Sequence, residues 1–416
     1  MWQGESRISS LLPVRYQRML VNPLSFYRGT ALLMADDLAR GPSTSIAVQI
    51  CGDAHLSNFN LFSSPERRTI FDLNDFDESD SGPFEWDVKR LTASVAIASA
   101  QLGHREAQQE SIARETAREY RESIRRFASQ TRLEVWYAAL DVNAIDLELR
   151  GFFTEGALHR IDEVVDHVKE VSSARAFSKL IAPGDEPRIV SNPPLVVPME
   201  DASDDPFMTH EHLRSIIEGY EGSLSSDRQM LLRQFTPVDS ARKVVGVGSV
   251  GTACYIMLLT GRDDDDPFFL QIKEAGESVV AIATERRSTI VAGERVVRAQ
   301  RLMQATPDVF LGWYSATHGE AVKHFYVRQL YDNKASIDIA RLDEARLVTY
   351  GRICAWTLAR AHARAGRSAE IAGYLGKSDV ADAAFAQFAL AYRDRNEEDF
   401  RALQAARREG RVTVAK

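Results

Sequence analysis

"ARKVVGVGSVGTACYIMLLTGRDDDDPFFLQIKEA", residues 241–275, carries Gly246, Gly248 and Gly251 in G-x-G-x-x-G spacing. By itself the spacing fits a dinucleotide-binding turn, a phosphate-covering loop between strands, or an ordinary structural turn. A dinucleotide fingerprint must open a helix, because the pyrophosphate sits on the helix N-terminus. Here the glycines run instead into the apolar stretch "TACYIMLLTG", then a Gly/Asp-rich turn, then a second apolar run, "FFLQIK". Two apolar runs joined by a turn predict a β-hairpin. Asp263 to Asp266 read as its solvated tip, since they lack the 12-residue pattern of a calcium loop. Lys273 falls near the end of the second strand.

Carboxylates gather elsewhere. "VQICGDAHLSNFNLF" (48–62) and "TIFDLNDFDESDSGPFEWD" (69–87) place acids and amides beside strand-like runs. Buried carboxylates are costly without a cation, so a metal or phosphate site is the physical expectation. Asp53 and Asn58 are five apart, the offset that separates a proton-accepting aspartate from a metal-binding amide in the pattern H-R-D-x-x-x-x-N. "NLFSSPERRTIFDL" predicts a hairpin that delivers the next carboxylate: Asp75, followed by Phe76, with Asp72 as the alternative and Asp77 as a second ligand or a helix-side acid. Asp87, twelve residues beyond Asp75, opens the helix "DVKRL". His55 is placed to orient the loop, and His362 reads as structural. Arg28 in "FYRG" positions phosphate or pairs with an acid. Each of these acids also has a plain reading as a turn or cap residue.

The rest of the chain supplies a frame. Residues 15–40 predict helix interrupted at Pro23, "SIAVQI" (45–50) a strand, and residues 104–180 charged helix. The Pro, Asp and Ser-rich segment 182–207 reads as a linker. A helix is predicted near 281–305, with Glu294 (Glu285 competing) as ion-pair partner for Lys273. "HFYVRQLYD" (324–332) predicts a strand leading to a hinge, and "EARLVTYGRICAWTLARAHARAG" a helix with one apolar stripe. Net charge is 51 − 59 = −8, which argues against a general nucleic-acid partner. Cys51, Cys254 and Cys354 are too scattered for a disulfide framework or a structural zinc site. No apolar run approaches a membrane span and no leader is apparent, so the cytoplasm is the expected location and no membrane partner is expected.

Together, "CGDAHLSN", "NDFDE" and "GPFEWDVKRL" resemble the HGDxHxxN, IDFE and GDPxxDLA pattern of aminoglycoside phosphotransferases and choline kinases. Cys51 stands where that pattern has His. The longer series, from "FYRGTALLMADDLA" through "VGVGSVGT" and "YVRQLYDNK" to "LARAHARAG", resembles the bacterial domain-of-unknown-function family 2252 over most of the chain. These resemblances imply an α+β, two-lobed protein-kinase-like fold. Because Asp53 precedes Gly246, where kinases have the reverse order, the fold would be circularly permuted. Residues 1–200 would form the first part of the C-lobe, 201–335 the N-lobe ending in the hinge, and 336–416 the remaining C-lobe helices.

The function implied is an ATP- and Mg²⁺-dependent phosphotransferase acting on a hydroxyl of an unknown acceptor, a small molecule first. Asp53 would be the base, and Asn58 with Asp75 or Asp72 would hold the metal. Gly246, Gly248, Ser249 and Gly251 would cover the phosphates and Lys273 would grip them, paired with Glu294. Gln329, Leu330 and Tyr331 would offer backbone groups to adenine. Nucleotidyl transfer to a protein and a non-catalytic nucleotide-binding fold are the alternatives. A two-metal phosphoesterase would need a second ligand set that is not found.

Overall fold

The computed structural model describes residues 7–141, 180–182, 187–201, 209–244, 246, 250–263, 266–286, 288–330 and 337–415. Three short helices begin it: α1 (Leu12–Met19), α2 (Pro23–Arg28) and α3 (Ala31–Ala39). Pro23 is indeed the break. It is the first residue of α2, where a missing N–H costs nothing, and Asn22 caps the helix by accepting from Ser25 N at 2.8 Å. Four strands follow: β1 (Ala47–Ile50), β2 (Phe59–Ser63), β3 (Thr69–Leu73) and β4 (Asp80–Pro83). β2 and β3 form the expected hairpin, Phe59 opposite Leu73, while β1 pairs with β4.

Next come α4 (Phe84–Gln101), α5 (Glu106–Ser129), α6 (Arg132–Tyr137) and β5 (Leu140–Asp141), the last a short addition to β3. α4 is buried almost all round, which makes it the axis of the helical layer. Its Ala93, Ala96 and Ala98 let neighbouring helices approach closely.

β6 (Ile181–Ala182) and β7 (Arg188–Ile189) make a small pair ahead of β8 (Val196–Pro198). After α7 (His210–Glu221) and α8 (Ser226–Leu232) come β9 (Thr236–Lys243), β10 (Cys254–Thr260) and β11 (Pro267–Ala275). Then follow α9 (Val279–Ala283), α10 (Ala292–Met303), β12 (Gly312–His318) and β13 (Ala321–Gln329). The sheet runs β12-β13-β11-β10-β9-β8, every pairing antiparallel. The chain then returns to the helical layer as α11 (Glu344–Arg364), α12 (Ser368–Leu375) and α13 (Val380–Arg408). An α+β architecture with antiparallel sheets is therefore established.

The glycine-rich segment joins β9 to β10 and opens no helix; β10 and β11 form the hairpin, Thr260 opposite Pro267. Two expectations are corrected. The segment 182–207 is more than a linker, since β7 and β8 lie in it and β8 extends the sheet, which starts at Val196 rather than after residue 201. The short apolar run Leu195–Val197 directly after Pro193-Pro194 hides a strand behind turn chemistry. The single helix near 281–305 is two, α9 and α10, separated at Glu285, whose φ of 51° no helix tolerates.

Strand alternation gives the sheet two different faces. Phe268, Leu270 and Ile272 of β11 join Tyr255, Met257 and Leu259 in a core closed by Ile216 and Tyr220 of α7. Phe269, Gln271 and Lys273 point the other way, where Phe269 packs with Ile189 of β7 and Lys273 faces Asp75 and Asp77 beyond the β2–β3 hairpin.

Candidate functional site

The site is built where β1 ends. Cys51 N and Gly52 N donate to the two carboxylate oxygens of Asp87 at 2.8 and 3.0 Å. Asp87 sits in the first turn of α4, where the helix dipole also favours a negative charge. His362 Nε2 lies 3.2 Å from the same carboxylate and is itself bonded to Tyr120 through Nδ1 at 2.7 Å. Gly52 has φ 76°, and a Cβ there would come within 2.1 Å of the Glu78 carbonyl oxygen. Only glycine lets the loop turn this close to the neighbouring segment.

That turn presents Asp53. Its Oδ1 accepts from Arg90 Nε at 2.8 Å, and His55 Nε2 is 3.7 Å from Oδ2. Arg90 also donates to the Tyr27 carbonyl at 2.7 Å and lies 3.8 Å over the Tyr27 ring. Burial pushes the Asp53 carboxyl up to about 6, Arg90 acting against the rise and Asp75 adding to it. Asn58 donates its Nδ2 to the Asp53 carbonyl at 2.8 Å, which turns Oδ1 away from that bond. Across the hairpin, Asn74 N donates to the Asn58 carbonyl at 3.0 Å, so Asp75 follows directly beside Asn58.

Lys273 arrives from the sheet. Its Nζ is 4.0 Å from Asp75 Oδ1 and pairs more closely with Asp77 Oδ2. Asp77 Oδ1 accepts from Tyr326 OH at 2.8 Å. Burial works to raise the Asp77 carboxyl, but Lys273, Tyr326 and Arg328 outweigh it and hold it below the ordinary range. Asp75 is the most open of the three acids, with 36% of its side chain exposed against 14% for Asp53 and 21% for Asp77. Glu78, accepting from Val279 N at 2.9 Å, is pushed up to about 7 by burial. Arg295 of α10 ties the segment down by donating to the Asp77 and Gly276 carbonyls at 2.8 and 2.9 Å and to the Ser79 carbonyl.

Other candidates are placed differently from expectation. Glu294 pairs with Arg298 one turn along α10, and the carboxylate partners of Lys273 are Asp75 and Asp77. Asp72 is fully buried and committed: it meets Arg360 at 2.5 Å and accepts from Ala305 N at 2.8 Å. It ties β3 to α11 and to the residues just after α10. Gly246 and Gly251 both have positive φ, and the N-terminal segment straps the loop: Ile8 N donates to the Gly251 carbonyl at 2.8 Å, Arg7 to the Val250 carbonyl at 2.6 Å, and Arg18 to the Gly246 carbonyl. Gly248, Ser249 and Tyr331 lie outside the described residues. The N–H groups of Gln329 and Leu330 are not open to an adenine ring, because Gln329 donates to Asp308 at 2.5 Å and Leu330 to the Phe269 carbonyl at 2.9 Å. Beside them, Ile189 of β7, with Leu180 and Ile181, covers Ala241, Ile256, Leu258 and Phe269 on the Lys273 face of the sheet.

The family described as an uncharacterized protein conserved in bacteria (DUF2252) has a profile that matches residues 7–406. The chain belongs to that family. No curated protein matches it, and no solved structure does. Among the described residues, no helix is long and apolar enough to cross a membrane.

In this DUF2252 protein, Arg90, Tyr326, Glu78 and Arg295 are further residues packed around the candidate site that sequence reasoning missed. Arg90 carried one signal, lying three residues after Asp87 and thus on the same helix face. Among the described residues, no group of three or more His, Cys, Asp or Glu is arranged to hold a metal ion unaided. The oxygens of Asn58 and Asp75 are nevertheless the hard donors Mg²⁺ takes, and an ion that keeps several waters or phosphate oxygens needs only one or two protein ligands. The arrangement can accept a proton at Asp53, hold a cation at Asn58 and Asp75, and present one buried ammonium to an anion.

Proposed function

We propose that this DUF2252 protein is an ATP- and Mg²⁺-dependent phosphotransferase acting on a hydroxyl group, with a two-lobed kinase-like fold in permuted order. The observation that carries the reading is the meeting of Lys273 Nζ with Asp75 Oδ1 at 4.0 Å, beside an Asn58 amide already bonded to Asp53. An ammonium and a metal-binding carboxylate so close are what two groups gripping the same phosphate chain require. The antiparallel sheet, with its glycine-rich β9–β10 connection and its lysine on β11, supports the same reading.

Each residue then has a chemical task. Asp53 takes the proton of the attacking hydroxyl, and a carboxyl near 6 is ionised yet basic enough to do so at neutral pH. Arg90 holds that carboxylate in place. Asn58 and Asp75 supply oxygens to Mg²⁺, which when bound neutralises phosphate charge. Lys273 exchanges part of its contact with Asp77 for phosphate oxygens. Asp77 and Tyr326 keep the lysine in position. A small-molecule acceptor is the first choice. Incubation with ATP labelled at either the α or the γ phosphate, against pooled small metabolites and protein, tests this: γ-label should move to a small molecule. Transfer of α-label to protein would show nucleotidyl transfer instead, and movement of neither label would remove the catalytic reading.

A further inference from the structure

Among the described residues, Arg28 is a cation without a carboxylate partner, in the field of an acid that already has one. Among the described residues, no carboxylate forms an ion pair with it, and its Nε is buried with no hydrogen-bond partner. Its guanidinium lies within the fields of Asp53 and Asp75 and of a second cation, Arg18. Asp53, the nearest reason for a structural arginine to be there, is already neutralised by Arg90 at 2.8 Å. A half-buried guanidinium normally finds an acceptor, because leaving its donors unmade costs more than a surface charge does.

The backbone around Arg28 is fixed on both sides. The Tyr27 carbonyl accepts from Arg90, and Tyr27 OH donates to the Arg90 carbonyl at 2.9 Å. On the other side, the Gly29 carbonyl accepts from Arg15 Nη2 at 2.8 Å, and Gly29 packs so tightly that a Cβ there would stand 2.9 Å from Met19. The same Arg90 that orients Asp53 therefore positions α2, and with it the Arg28 side chain. Arg18 reaches the Gly246 carbonyl, so the two cations run from the Asp53 neighbourhood to the glycine-rich loop. A planar guanidinium with its donors uncommitted suits a phosphate group better than any other common ligand.

We infer that Arg28, with Arg18 adding positive charge to its surroundings, forms an anion subsite near Asp53, and that the acceptor molecule carries a phosphomonoester-class group held there. The subsite rests on the unpartnered Arg28 guanidinium and its charged surroundings; its assignment to an acceptor rests on the phosphotransferase reading. Fixing such a group would bring a hydroxyl of the same molecule to the Asp53 carboxylate, which is how remote binding energy orients a reacting group.

Inorganic phosphate is the probe. It is titrated calorimetrically into the full chain already saturated with Mg²⁺ and a non-hydrolysable ATP analogue, so that the γ-phosphate position is filled. One phosphate site is expected, weakened roughly tenfold or more by Arg28→Gln, in line with the loss of charge-assisted bonds, and less by Arg28→Lys. Thermal melts establish that the variants fold; if Arg28→Gln does not, Arg18→Gln is expected to weaken the same site. An absent site, or one indifferent to these changes, would overturn the inference. So would a site that vanishes only when the analogue is present, because Arg28 would then serve the nucleotide. If the analogue itself does not bind, the titration is made on the free protein. An Arg28-dependent phosphate site there would uphold the anion subsite while removing the phosphotransferase reading.

Discussion

Lys273 and Asp77, 273 − 77 = 196 residues apart in the chain, form a buried ion pair that joins the sheet to the carboxylate hairpin. With Lys273 only 3% exposed, neither charge is well screened by water. Lys273→Met should therefore cost about 3–5 kcal/mol of stability, the penalty for leaving a buried charge unpaired. Asp77→Asn should cost less, because Asp75 remains 4.0 Å from the ammonium. Replacing both Lys273 and Asp77 by apolar residues should recover much of the loss. Urea melts of the two single variants and the double variant measure the coupling; additive losses would mean the pair is not a unit.

Asp53 and Asp75 should separate into two phenotypes. Asp53→Asn should keep nucleotide affinity and slow turnover by about 10²-fold or more, as removal of a general base does. Asp75→Asn should weaken Mg-nucleotide binding first. Paired binding and turnover measurements on both variants decide it. Full activity of Asp53→Asn on an identified acceptor would contradict the assignment.

Asp72 offers the contrasting case. Its carboxylate is spent on Arg360 and on Ala305 N. Asp72→Asn should destabilise the fold by about 3–5 kcal/mol, as loss of one partner of a buried pair does, yet leave the Mg²⁺ dependence of nucleotide binding in place in the fraction that folds. Loss of that dependence at unchanged stability would return Asp72 to the metal site.

Protonation should move activity and stability in opposite directions. Burial raises Asp53 to about 6 and Glu78 to about 7. Between roughly pH 4 and 7 the folded chain then binds protons that the unfolded chain does not, so unfolding free energy falls as pH rises. The drop should be on the order of 1 kcal/mol or more per group. The depressed Asp77 opposes this only in acid, below the ordinary carboxylate range. Turnover needs ionised Asp53 and should rise with pH through about 6. Denaturant melts across this range, with and without Asp53→Asn, check the first half and a pH–rate profile the second. A stability that climbs with pH would contradict the burial of these acids.

The sequence revealed the parts whose signal is local. The two hairpins followed from apolar runs and turn residues, and spacing within single segments singled out Asp53, Asn58, Asp75 and Lys273 as candidates, of which Asp75 and Lys273 are brought together. What it concealed is set by contacts across the chain. Nothing in the spacing tells whether Lys273 meets Glu294, twenty-one residues on, or Asp77, because the choice depends on how α10 is turned. Glu294 points along its own helix to Arg298, and Arg295 takes the inward position. Asp72 and Asp75 look alike in sequence; Arg360, 288 residues away, and Ala305 N make the first structural. The hinge residues read as open backbone, yet Asp308 and Phe269 consume the N–H groups of Gln329 and Leu330. Hidden behind two prolines, β8 shows that turn chemistry and an edge strand can share the same residues.

Calorimetric titration of ATP, with Mg²⁺ and with the divalent ion removed, tests the proposed function most directly, because Asn58 and Asp75 serve a nucleotide only around a cation. Binding should be markedly tighter with Mg²⁺, and Asp75→Asn should abolish the difference. Absence of nucleotide binding under any divalent metal, or binding equally tight without one, would contradict it.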